Sequence, residues 1–344
     1  MVYQLLKVYI TLGLHIFFKK IKVVNSNNIP KSGPILFVPN HQNALLDALL
    51  VVTHNKRKTH FLARADAFKF KIFKRGLSYL KMLPVYRIRD GFSSINQNEA
   101  IFERCYEILN KGECVCIFPE GNHDLKRRLR PLSKGFTRIV IGALDNNPDM
   151  NLKIVPVGLN YTDHQSFHGS VSIYFGEPID AKKYYTRDFN TDSKLIKKEV
   201  SNALKKLIVH IEDLDIYNEK MALIKSHKVD LLDPKFCNEF ISKEHGQSRT
   251  ENESYTLVLK LVGNIIALVN VVPLSLWNSF LKKIKDPVMI GTFKFCYGVF
   301  LFPIISLLIA TIAGLVINIW IGLGYLLLIT FTSPFLAARS ILKH

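Results

Sequence analysis

The chain has 344 residues, 48% of them hydrophobic and 22% charged, with a formal net charge of +18 and a mean hydropathy of +0.14. That hydropathy is high for so charged a chain, which argues against a purely soluble protein and for a soluble part joined to a membrane part. A positive balance suits nucleic acid or an anionic bilayer surface, and the apolar C-terminal part decides for the bilayer, so no nucleic acid is expected.

Residues 1–20 carry an uncharged run over 8–18, shorter than the about 20 residues a helix needs to span a bilayer. No small-residue cleavage site follows it, which argues against a secretory signal. Leu5, Val8, Tyr9, Leu12 and Ile16 share one helical stripe, and Lys19 and Lys20 mark its polar boundary. The expectation is an amphipathic helix lying in the membrane plane, with a plain core helix as the bland reading.

Residues 21–230 are expected to form the catalytic domain, with a basic helical extension. Over 21–180 short apolar runs alternate with amphipathic stretches, the pattern of an α/β domain: a mixed central sheet flanked by helices. Strands are expected at 35–38, 59–63, 114–118, 153–159 and 171–175, and helices at 43–54, 95–110 and 133–144. The stretch "GPILFVPNHQNALLDALLV", 33–51, is the most informative. An apolar strand is stopped by Pro39, which has no N–H to pair. Asn40 and His41 follow, then a helical pattern containing Asp47. Backbone N–H groups at a helix start attract negative charge, and an imidazole near a carboxylate keeps one tautomer and can accept a hydroxyl proton.

Residues 181–230 are rich in lysine, with an apolar stripe at Val200, Leu204, Leu207, Ile208 and Ile211. This fits either a helix packed on the domain or a basic face on lipid headgroups. Residues 231–255 are expected to be a polar linker, its clearest part 242–255, and 256–344 a C-terminal membrane region. Within it 295–338 contains no Asp, Glu, Lys, Arg or His, enough for two spans, with a turn near Asn318. Lysines precede this run and Arg339 and Lys343 follow it, so an α-helical membrane hairpin with both ends in the cytoplasm is expected. The uncharged run 261–281 is expected to be interfacial or re-entrant. The five cysteines, Cys105, Cys114, Cys116, Cys237 and Cys296, form no CxxC pair, and their odd number suggests reduced cytosolic thiols rather than disulfides or a zinc site.

Four constellations carry chemistry: Asn40-His41 with Asp47, "LPVYR" at 83–87, "FPEG" at 118–121 and "VPVGLNY" at 155–161. Each alone is ordinary. A histidine beside a helix start is usually a cap or a packed residue, and Pro-Glu-Gly after a strand is usually a turn. Their occurrence together, in this order, overturns the ordinary readings.

Through these motifs, and through "NNIPKSGPILFVPNHQNALLD" and "LSKGFTRIVIGAL", residues 22–180 resemble the glycerolipid acyltransferase family, enzymes that acylate glycerol 3-phosphate and lysophosphatidic acid. The resemblance implies that His41 is the general base and that Asp47 orients it, the substrate hydroxyl standing where a serine protease has its serine. It implies Arg87 on the acceptor phosphate, Glu120 on acceptor hydroxyls with Gly121 permitting close approach, Pro156 shaping the acyl end of the cleft, and Lys134 as a second anion contact. The donor would be acyl-CoA or acyl-carrier protein, and the acceptor a lysophospholipid or glycerol 3-phosphate. No cofactor and no metal are implied.

Two departures from the family pattern bear on these roles. Five residues separate His41 from Asp47 where four are usual, so the first helical turn must be irregular for the two to meet. Asn122-His123 replaces the usual Thr-Arg after the FPEG motif, leaving Lys126, Arg127, Arg128 and Arg130 to supply the missing charge. A lyso-ornithine or other amino-acid lipid acceptor is the alternative substrate. A non-catalytic membrane module binding anionic lipids is the alternative of a different class.

Overall fold

The computed structural model describes residues 2–65, 79–86, 93–243 and 270–329. Among the described residues, eight strands form one sheet: β1 Lys20–Val24, β2 Ile35–Pro39, β3 Thr59–Arg64, β4 Met82–Val85, β5 Cys114–Cys116, β6 Lys153–Tyr161, β7 Ser170–Phe175 and β8 Ile179–Asp180. Their order is β1-β7-β6-β2-β5-β3-β4, with β8 paired to β6 off this path. Pairing is parallel except between β6 and β7 and between β6 and β8, so the sheet is mixed.

Alternation along the strands builds two apolar layers. Ile35, Phe37, Cys114, Cys116, Phe61, Val155, Val157 and Leu159 face one side. Leu36, Val38, Val115, Leu62 and Ile154 face the other. A sheet buried on both faces reads as continuous hydrophobic runs, which is why its central strands stand out in the sequence. The first face is covered by α1 (Val2–Phe17), α2 (Ala44–Thr53) and Phe295. The second is covered by α3 (Ser93–Asn110), α4 (Gly135–Asn146) and α5 (Phe189–Leu207). The glycine of "VPVGLNY" has a packing reason, since a Cβ on Gly158 would lie 2.2 Å from the Leu207 carbonyl oxygen at the end of α5.

Three expected boundaries need correction. First, α1 is no separate appendage. Ile10, Leu14 and Phe17 are buried in the first layer, while the expected stripe of Leu5, Val8, Tyr9, Leu12 and Ile16 faces outward. Secondly, the expected linker 231–255 contains α7 (Pro234–Lys243), which packs with α6 (Tyr217–Ser226) around buried Cys237 and Phe240. Polar residues alternate with the apolar ones along α7, which masks its helical periodicity in the sequence; 244–255 lies outside the described residues. Thirdly, the C-terminal region does not separate cleanly from the α/β domain. After α8 (Val271–Leu281), α9 (Met289–Val316) begins packed on α2, with Gly291 and Thr292 buried.

Among the described residues, α9 is the one helix long and apolar enough to cross a membrane, with a π-helical turn at Tyr297–Leu301. The Val299 carbonyl in that turn accepts Tyr9 Oη at 2.6 Å, and Tyr297 Oη donates to the Pro273 carbonyl at 2.6 Å, tying α1, α8 and α9 together. The helix ends at the expected turn. Asn318 Oδ1 caps the next helix by accepting the Trp320 N–H, and α10 (Ile319–Ile329) folds back on α9. Gly322 permits this approach, because a Cβ there would lie 2.4 Å from the Ala310 carbonyl oxygen. The rest of the expected hairpin, with Arg339 and Lys343, lies outside the described residues, as does 261–269 of the expected interfacial run.

Candidate active site

His41 follows the carboxyl end of β2, with β5 and β6 as parallel neighbours. Crevices outside the carboxyl ends of parallel strands are where α/β sheets present side chains to ligands. Residues 40–43 are not helical, and Ala44 has φ +44°. A left-handed alanine costs about 1–2 kcal/mol. This irregular turn accommodates the extra residue between His41 and Asp47, and it places His41 Nδ1 2.9 Å from Asp47 Oδ2.

Asp47 is fully buried and collects four donors. Oδ2 also accepts the backbone N–H groups of Gln42 at 2.8 Å and Asn43 at 2.7 Å, and Oδ1 accepts Tyr161 Oη at 2.5 Å. A first-turn carboxylate reaching back to the N-cap backbone satisfies donors that a helix start leaves unpaired. Burial and the adjacent Asp47 carboxylate push the Tyr161 hydroxyl pKa well up, so Tyr161 stays a donor. Asn40 plays a structural part: its side chain pairs with both the N–H and the carbonyl of Leu159, locking the loop to β6.

The FPEG motif closes the other side. Phe118 stacks on the His41 ring with centroids 4.0 Å apart and planes 19° from parallel. Glu120 faces inward, 2% exposed: Oε1 accepts the His41 N–H at 2.9 Å, and Oε2 accepts Arg130 Nε at 2.8 Å. One oxygen of Glu120 thus holds the His41 backbone and the other holds Arg130. Burial raises its pKa against the opposing pull of Arg130 and the His41 N–H. Gly121 has φ +68° and closes the turn by donating its N–H to the Phe118 carbonyl, so the glycine is required by the turn itself. With the Asp124 N–H donating to the His41 carbonyl at 3.2 Å, both the backbone and the ring of His41 are fixed. Its side chain remains 15% exposed, so Nε2 is the atom available to a substrate.

The remaining expected residues fall elsewhere. Pro156 is buried within β6 beside Val38, on the strand parity opposite to Tyr161, so it does not face the Asp47 side of the sheet. Lys134 is exposed at the start of α4, where its charge adds to burial in lowering the pKa of Lys197 on α5. Arg87 lies outside the described residues. Of the basic cluster, Arg127 is buried and donates to the Thr162 carbonyl, Lys126 Nζ lies over Tyr217, and Arg130 reaches the site through Glu120.

Two further residues complete the rim. The His123 ring stands edge-on to His41 with centroids 5.5 Å apart, and its Nε2 meets Asp286 Oδ2 at 3.0 Å. Burial holds His123 below its usual pKa, with His41 and Arg64 pushing the same way against Asp286. Burial alone would raise Asp286, but hydrogen bonds from His123 and the Val288 N–H, with Arg64 nearby, bring it below the usual carboxylate range. Asp286 and Arg64 are far from the motifs in sequence and carry no local signal.

Residues 20–160 match the family described as Acyltransferase. The chain is 32% identical over 121 residues to glycerol-3-phosphate O-acyltransferase 1 of Saccharomyces cerevisiae, covering 33% of this chain and 16% of the yeast protein. It is 28% identical over 182 residues to a chloroplastic 1-acyl-sn-glycerol-3-phosphate acyltransferase of Arabidopsis thaliana, covering 52% of this chain and 48% of that protein. Over 143 residues it is 27% identical to a probable 1-acyl-sn-glycerol-3-phosphate acyltransferase of Mycoplasma pneumoniae, covering 40% and 51%. The match therefore spans a small part of the yeast relative and about half of the other two. Among solved structures, the 1-acyl-sn-glycerophosphate acyltransferase of Thermotoga maritima aligns with a TM-score of 0.42 at 19% identity, over 59% of this chain and 80% of that one.

Proposed function

Because the chain belongs, through residues 20–160, to the glycerolipid acyltransferase family, we propose that it moves a fatty acyl group from a thioester to a glycerolipid hydroxyl. The observation that carries this reading is His41 held at 2.9 Å by a fully buried Asp47, with its outer nitrogen at the surface. In this mechanism His41 Nε2 takes the acceptor hydroxyl proton as the oxygen attacks the thioester carbonyl. The new ester bond forms as the carbon–sulfur bond breaks, and the imidazolium returns the proton to the departing thiolate. Asp47 stabilises that imidazolium and keeps Nδ1 protonated, as in a Ser-His-Asp triad with the acceptor in place of serine.

Acyl-CoA or acyl-carrier protein is the proposed donor, and glycerol 3-phosphate or a lysophospholipid the proposed acceptor. The test is full-length protein in phospholipid vesicles, assayed with both donors against glycerol 3-phosphate, 1-acylglycerol 3-phosphate and a lyso-ornithine lipid. Transfer to a phosphate-bearing acceptor is expected. Preference for the ornithine lipid would reassign the acceptor, and no transfer from either donor would refute the reading.

The bilayer is the proposed platform. The outward faces of α1, α8, α9 and α10 expose Leu5, Leu12, Val271, Leu276, Ile304 and Trp320, and large apolar patches of this kind mark membrane or partner contacts. With cytosolic thioesters as the proposed donors, the cytoplasmic face is the proposed side for the catalytic domain. A cysteine introduced as Ile284→Cys, beside Lys282, Lys283 and Lys285, is then expected to resist an impermeant thiol reagent in intact cells and to react once the membrane is opened. Labelling in intact cells would invert the topology.

A further inference from the structure

The start of α9 is joined to the loop that carries His41. Gln165 Nε2 donates to the Pro287 carbonyl at 3.0 Å, and Lys294 Nζ donates to the Gln165 carbonyl at 2.9 Å. Thr292 Oγ1 donates to the Asn43 carbonyl at 3.4 Å. Between these bonds Gly291 lies so close that a Cβ would come within 2.5 Å of the His164 carbonyl oxygen and 2.7 Å of Asn43 Oδ1. Asn43 in turn donates to the His164 carbonyl and to Asp47. The first turn of the apolar helix is therefore seated against the residues that shape the His41 turn.

Asp286 stands at the head of this segment and acts in two directions. Its Oδ1 accepts the Val288 N–H at 3.0 Å, and its backbone carbonyl accepts the Met289 N–H at 3.0 Å, which begins the helix. Its Oδ2 holds His123 Nε2. A histidine bonded to a carboxylate through Nε2 carries its proton there, so Nδ1 is the atom left to meet a ligand. The His123 side chain is 11% exposed and that of His41 15%, so the two rings, 5.5 Å apart, reach the surface side by side.

We propose that Asp286 is a positioning residue for the acceptor: it fixes His123 beside His41, so the acceptor subsite is complete only while the first turn of α9 is seated. The inference rests on the acyl-transfer reading for its kinetic test but not for its binding test. It joins the membrane helix to substrate recognition, because the group that begins the helix also aims the side chain that receives the acceptor.

The test uses the full chain with Asp286→Ala, Asp286→Asn, His123→Ala and the Asp286→Ala/His123→Ala double variant. Asp286→Ala is expected to raise KM for glycerol 3-phosphate or 1-acylglycerol 3-phosphate about 5–10-fold, the effect of one lost hydrogen bond, without moving KM for the donor. The carboxamide oxygen of Asp286→Asn can still accept the His123 N–H, so that variant is expected to recover most of the loss. The double variant is expected to be no worse than the poorer single one. Parallel changes in donor and acceptor KM, additive single effects, or an Asn variant as poor as the Ala variant would each overturn the proposal. Titration calorimetry with glycerol 3-phosphate, comparing the unaltered chain with Asp286→Ala, decides the matter without turnover. Weaker binding in the variant supports the proposal even if acyl transfer is never seen, and no difference overturns it.

Discussion

His41→Ala is expected to lower acyl transfer by about 100-fold or more, the usual worth of a positioned base, while the protein stays folded. The ring adds little to stability. Removing it ends one hydrogen bond to Asp47, but that carboxylate keeps the N–H groups of Gln42 and Asn43 and the Tyr161 hydroxyl. Phe118 would lose its stacking partner, for a total cost of about 1–2 kcal/mol. Initial rates paired with a thermal melt separate the two effects. A well-folded alanine variant with near-normal turnover would remove His41 from the chemistry.

Asp47 should behave differently, because it serves both the fold and the site. Asp47→Ala strands two backbone N–H groups and the buried Tyr161 hydroxyl. At about 1–3 kcal/mol for each unsatisfied group, this threatens a domain whose net stability is typically about 5–15 kcal/mol. The alanine variant is expected to unfold at markedly lower temperature. Asp47→Asn is the more informative change. It keeps the volume and one acceptor oxygen but no longer holds Nδ1 of His41 protonated, and a rate loss of about 1,000–10,000-fold is expected with a much smaller shift in melting. If the asparagine variant turns over normally, Asp47 is a helix cap and nothing more.

The central strands could be read from sequence because burial on both faces writes them as unbroken apolar runs. The edges could not. β1 is "KIKVV", with lysines alternating along a half-exposed strand, and β4 is "MLPV", whose proline is tolerated because, among the described residues, the strand pairs on one side alone. Charge and proline are how edges are protected, and they erase the strand signal. In the site, His41, Asp47 and the FPEG turn were legible because each sits within a few residues of a strand end. The helical wheel set His41 and Asp47 apart, and a left-handed Ala44, which no propensity suggests, brings them together. The FPEG turn was legible as a motif, but the inward placement of Glu120 was not, since it depends on Arg130 ten residues on. Asp286 was beyond reach, because nothing local in a lysine-rich turn points to a histidine in the first half of the chain.

The pairing of β1 with β7 sets a clock on biosynthesis. Lys20 lies beside Ser170 and Val24 beside Tyr174, so a ribosome must make most of the catalytic domain before β1 has a partner. At about 5–20 residues per second that wait is roughly ten to thirty seconds. Through that interval β1 is an unpaired strand next to a helix with apolar residues on two sides, the arrangement most prone to join the same strand of a neighbouring nascent chain. Lys20 and Lys22 repel such a partner. In the finished protein the same two lysines mark a charged edge of the sheet.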